Sequence, residues 1–132
     1  MTAFMRLEHR QYAHCESGVV TSLLRDRGLD LSEPMVFGIA GGLTFAYLPF
    51  IKITNMPIVA YRMFPGAIIK GVAKNLGVRF ETRRYSDQGK AMAELCALVD
   101  AGRCVGLQTS VYWLPYFPPE MRFQFNAHNL IV

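Results

Sequence analysis

Three cysteines are too few and too irregularly placed to staple a secreted mini-protein. Cys15, Cys96 and Cys104 form an odd set with no CxxC pair, which suits neither a disulfide framework nor a zinc ligand pair. No apolar run approaches the ~20 residues needed to span a bilayer. The opening MTAFMRLEHRQ lacks the apolar core of a secretory signal. Together these absences predict a chain of the reducing cytosol, with free thiols and no membrane span. Charge is sparse too: Asp, Glu, Lys and Arg make up 18% of the residues and the formal net charge is +4. The cations are scattered rather than gathered on one face or tail, so no nucleic-acid footprint is expected, although an acidic partner or substrate would suit the mild excess. No HExxH, GxSxG or paired-carboxylate pattern occurs, and no cluster of metal ligands. Neither a metal nor a resident cofactor is expected.

What the sequence does hold is a core. Apolar residues reach 52% over 132 positions, enough for one domain, expected over residues 1–132. Helical spacing of Val19, Val20, Leu23 and Leu24 predicts a helix over 16–27, with Gly28 as its stop. Ser32 and Pro34 predict a second helix start. A strand is expected over 43–48, then an irregular connection holding one strand around 58–61. Pro65 opens a helix to Leu76, closed by Gly77. Alternation of Val78, Phe80 and Thr82 predicts a strand over 78–85. A helix capped by Ser86 or Asp87 follows, with an apolar face of Met92, Leu95, Cys96 and Val99 and a stop at Gly102. Strands over 104–113 and 123–132 complete the reading. This order suits an α+β layout better than a doubly wound sheet. The chain stops inside an apolar run, Asn129-Leu130-Ile131-Val132. Termini are usually exposed and polar, so the expectation is a domain cut from a longer protein.

Chemistry centres on Cys15. At the start of a helix, backbone N–H groups and the macrodipole favour an anion, and the thiolate is the nucleophilic form of cysteine. The same N–H groups can hold a developing oxyanion. The plain alternative is a small buried residue at a helix start. A thiol nucleophile needs an imidazole within about 2.6–3.2 Å, and that partner can be remote in sequence. His9 and His14 precede Cys15 almost immediately, which leaves His128 as the only base a remote element could supply. A satisfied strand histidine is the alternative. The Gly38-x-x-Gly41-Gly42 cluster matches no phosphate-loop pattern and reads as a turn or close packing. A nucleotide-binding role there is a weaker third idea. Tyr112-Trp113-Leu114-Pro115-Tyr116-Phe117-Pro118-Pro119 is either the wall of a substrate cleft or a loop pinned to the core. Cys96 and Cys104 are expected in the core.

His14-Cys15-Glu16-Ser17, the run from Leu31 to Phe45, Tyr112-Trp113-Leu114-Pro115-Tyr116 and Asn126-Ala127-His128-Asn129 together resemble the amino-terminal domain of butirosin biosynthesis protein H. The resemblance covers nearly the whole chain. It implies a papain-like, C39-peptidase-like fold: an N-terminal helix packed on an antiparallel sheet, truncated at the C-terminus. It also implies Cys15 as nucleophile and His128 as base, in an acyltransferase or a peptidase-like hydrolase. An acyl group would pass from a phosphopantetheine thioester on an acyl carrier protein, or from a small acyl thioester, through a Cys15 thioester to an amine. Phosphopantetheine would then belong to the partner. Gln11 and Glu16 are the residues this resemblance offers for the oxyanion or substrate, although Gln11 stands closer to the cysteine than the glutamine of related peptidases. Those peptidases orient the histidine with a later Asp or Asn. Asn129, next to His128 in a strand, points to the opposite face and is a poor substitute. A non-catalytic binding or scaffolding module keeping the same fold is the competing expectation. Self-association and the identity of donor and acceptor are left open.

Overall fold

The computed structural model describes residues 8–53, 55–124 and 127–132. Asn126 of the late motif, and part of the strand expected over 123–132, lie outside them.

Local signals place the helices. His14 has an extended backbone, and its Nδ1 accepts a hydrogen bond from the Ser17 N–H at 3.3 Å, which starts α1 (Cys15–Asp26). Ser32 Oγ accepts from Met35 N–H and starts α2 (Glu33–Ile39), with Pro34 in its first turn. α3 (Ala67–Leu76) ends at Gly77, whose φ of 66° a side chain would strain. Asp87 accepts from Lys90 N–H and caps α4 (Gln88–Asp100).

The apolar stripes of the first three helices meet. Val20 and Leu24 of α1, Val36 of α2, and Ile68 and Val72 of α3 form the buried core, flanked by Leu31, Phe37 and Ile69. Burying one such side chain contributes roughly 1.5–3 kcal/mol. Contact is close at Gly71, where an added Cβ would collide with the backbone of Ala40, so α3 lies directly on the end of α2.

Two antiparallel pairs of strands complete the described fold. β1 (Leu43–Ile53) pairs with β2 (Met56–Arg62), and the register shifts between Leu48 and Lys52. Pro49 is tolerated within the strand because that irregularity removes the ladder bond it cannot donate. β3 (Gly106–Thr109) pairs with β4 (His128–Ile131), matching Gly106 with Ile131 and Gln108 with Asn129. This second pair packs on α1. At Gly106 a Cβ would come within 2.9 Å of Val19 Cγ1, so only glycine lets the strand approach α1 this closely. The chain is therefore α+β, with α1 lying on a small antiparallel sheet.

Several expectations need correction. Residues 78–85 form no strand; Val78 and Phe80 pack on the helical core, but no neighbouring strand supplies a ladder among the described residues. β1 and β2 extend beyond the strands expected there and form a hairpin. The expected strand over 104–113 is cut to four residues, then turns into a 3₁₀ segment (Val111–Trp113) capped by Ser110 Oγ. α4 buries none of its residues, and Cys96 is exposed on it rather than in the core. Cys104 is half-buried, with its Sγ donating to Asp26 Oδ1 at 3.3 Å; burial and that carboxylate push its thiol above the ordinary range.

Candidate functional site

Cys15 is the first residue of α1 and is half-buried. Among the described residues no protein group accepts from the N–H of Cys15 or Glu16, as expected for the first turn of a helix. The helix start is held from outside. Glu33, the first residue of α2, accepts from the N–H of Ala13 at 2.9 Å, from that of His14 at 3.0 Å and from Ser17 Oγ at 2.7 Å. Beside this clamp lies a cavity of about 240 Å³ lined by Ala13, His14, Ser17, Glu33, Pro34 and Phe37.

The group that reaches the sulfur is Asn129. Its Nδ2 lies 3.8 Å from Cys15 Sγ and also donates to Ala127 O at 3.3 Å. Strand parity explains why. Gly106 faces α1, so Gln108, two residues on, shares that face, and so do their cross-strand partners Ile131 and Asn129. His128 falls on the other face. Its ring meets Phe117 edge-on, with centroids 5.5 Å apart, and burial lowers its pKa below the usual histidine value. No hydrogen bond joins Cys15 to His128. The structure thus brings Cys15 together with Asn129 and leaves the expected base across the strand.

The two other candidates separate as well. Gln11 is exposed and bonds to no part of this site. Glu16 is 1% exposed, and its carboxyl group accepts from the N–H groups of Gly66, Ile68 and Ile69. It satisfies the open donors at the start of α3 and cannot face a substrate; its position beside Cys15 on one helix turns it inward. Sequence reasoning missed Glu33. The Ser32-Glu33-Pro34 helix start was a signal for Glu33, but nothing local tied that carboxyl group to residues 13–17.

The aromatic segment forms a second cavity of about 460 Å³, lined by Tyr112, Trp113, Pro115, Pro119 and Arg122. Arg122 pins the loop by donating to the carbonyls of Phe117 at 2.8 Å and Pro115 at 2.9 Å. Val111 and Leu114 anchor it in the interior while Trp113 stays 74% exposed. The loop is therefore both pinned and open on one side. Among the described residues no group of acidic, histidine and cysteine side chains could hold a metal ion, and no helix is long and apolar enough to cross a membrane.

The family model for butirosin biosynthesis protein H, N-terminal, matches residues 14–132. No curated protein and no solved structure matches the chain.

Proposed function

Because the chain belongs to the family of butirosin biosynthesis protein H amino-terminal domains, we propose that it is a cysteine-dependent acyl-transfer domain of papain-like layout. The observation that carries this reading is Cys15 in the first turn of α1, with the side-chain amide of Asn129 3.8 Å from its sulfur. The donor is a thioester on the phosphopantetheine of a carrier protein, or a small acyl thioester, and the acceptor is an amine. The Cys15 thiolate attacks the thioester carbonyl, and the pantetheine thiol leaves. The amine then attacks the new Cys15 thioester, an amide forms, and the Cys15 sulfur is released. In both halves charge develops on the carbonyl oxygen. The open N–H of Cys15 and the Nδ2 of Asn129 are donors suited to it. The net charge of +4 suits an acidic carrier.

His128 is the base of this scheme: it takes the proton from the Cys15 thiol and gives it to the departing pantetheine sulfur, then takes the proton from the amine and returns it to the Cys15 sulfur. Burial favours its neutral form, the form a base needs. Its place across β4 sets a condition. A one-residue slip of β4 against β3 turns every side chain of the strand over and would exchange Asn129 for His128 beside Cys15.

The absent Cys15–His128 bond favours a second reading, a binding or scaffolding module that keeps the family's fold without its chemistry. Incubation with acyl-pantetheine thioesters, followed by intact-protein mass spectrometry, separates the two. Acyl transfer predicts an adduct of one acyl group that Cys15→Ala abolishes and His128→Ala slows by about 100-fold or more. If the unaltered chain gains no adduct from any thioester while it and Cys15→Ala bind the carrier protein equally well, the chain is a binding module.

A further inference from the structure

Arg122 carries a charge that the protein leaves uncompensated. Its Nε donates to Phe117 O at 2.8 Å and its Nη2 to Pro115 O at 2.9 Å. The two carbonyls hold the guanidinium in place. Its remaining N–H groups, those of Nη1 above all, have no acceptor among the described residues. Nor does Arg122 join any ion pair there, even with Glu120 two positions before it. The cavity of about 460 Å³ that it lines is otherwise walled by Tyr112, Trp113, Pro115 and Pro119. Small-molecule sites of roughly 300–1,000 Å³ combine such apolar walls with a few polar groups that fix the ligand's orientation. A held cation beside rings and prolines suits an anion joined to an apolar group.

We propose that this cavity holds the phosphate end of the donor's pantetheine arm, with Arg122 on the phosphate. This rests on the acyl-transfer reading and gives its donor a docking point. The chemistry of the arm argues for it. A guanidinium meets phosphate oxygens through parallel N–H groups. Close to the phosphate the arm carries a carbon bearing two methyl groups, which suits the prolines and the Trp113 ring. Position argues for it too. Arg122 holds the Phe117 carbonyl, the Phe117 ring meets His128, and Asn129, next in β4, reaches Cys15 Sγ. A short run of adjoining residues therefore joins the cavity to the thiol that the thioester must reach. A carrier protein and coenzyme A both present this phosphate.

Trp113 is the chain's single tryptophan and is 74% exposed, so its fluorescence reports on this cavity. Phosphopantetheine should shift the emission to shorter wavelength as it covers the indole. At low salt it should bind about fivefold or more tighter than pantetheine, as an open charge-assisted pair allows. Arg122→Gln should abolish that difference. Because this substitution also unpins the loop, a second measurement uses the unaltered chain: the advantage of the phosphate should shrink as salt rises from about 0.05 to 0.5 M. Coenzyme A separates the sources. Affinity equal to that of phosphopantetheine marks an arm read without its bearer, as a carrier protein presents it; tighter binding marks a small thioester. Equal affinity of the unaltered chain for pantetheine and phosphopantetheine, a difference that survives Arg122→Gln, or calorimetric binding that leaves the emission unchanged would each overturn the proposal. The reading beneath it fails separately. Phosphate-dependent binding by a chain that never gains an acyl adduct keeps the site and removes the chemistry. Acylation of Cys15 by pantetheine thioesters no slower than by phosphopantetheine thioesters, below saturation, does the reverse.

Discussion

The β1–β2 hairpin is at least as rich in apolar residues as the three-helix body, and the two use them in opposite ways. In the body, Val20, Val36 and Val72 are fully buried, and the buried carboxyl group of Glu16 is met by three backbone amides. In the hairpin, Leu43 is 81% and Phe50 78% exposed. Composition therefore says little about where a core forms. Period decides. Residues spaced by three and four bring one stripe of a helix onto its neighbours. An apolar run with neither a helix nor a third strand to cover it builds surface.

The contrast breaks most sharply at Glu16. Glu16→Ala leaves the amides of Gly66, Ile68 and Ile69 buried without an acceptor. It is expected to cost about 3 kcal/mol or more in urea unfolding and to lower the helical signal. A change of that size would be absent if α3 were held by apolar packing alone. A smaller effect concerns pH. Burial depresses the folded-state pKa of His128 below its unfolded value, so the unfolded chain binds the proton more readily. The associated stability is fully present above about pH 6.5, the unfolded value, and is lost as pH falls through the folded pKa. His128→Gln should flatten this part of the stability profile; equal slopes for the two proteins would show that the imidazole is solvated. The smallest effect belongs to the hairpin. Phe50→Ser in dilute solution should change unfolding stability by no more than about 0.5 kcal/mol. A loss of several kcal/mol would mean that the hairpin is part of the cooperative body.

Much of the fold was legible because its boundaries are chemical. Ser32, Asp87 and Gly77 announce helix ends through hydrogen bonds or backbone conformation that need no distant partner. The expected strand over 78–85 failed for the opposite reason. Its alternation is real, but a strand also needs a neighbour, and alternation cannot name one. The site shows the same division. Cys15 at a helix start was readable from local pattern. Which residue meets it depends on which face of β4 turns toward α1, and that is set by the close approach at Gly106. Residue-type reasoning chose the imidazole, whereas strand parity delivered the neighbouring amide. Glu16 was misread because its partners lie fifty residues away.

The Glu33 clamp makes the setting of the thiol a long-range property of the molecule. A synthetic peptide of residues 8–27 would contain the cysteine, both preceding histidines and every residue of α1, yet it would lack the carboxyl group that gathers Ala13, His14 and Ser17. Whatever reactivity the folded chain gives its sulfur would therefore disappear along with the docking of α2, so chemical labelling at this single position could serve as a gauge of native assembly.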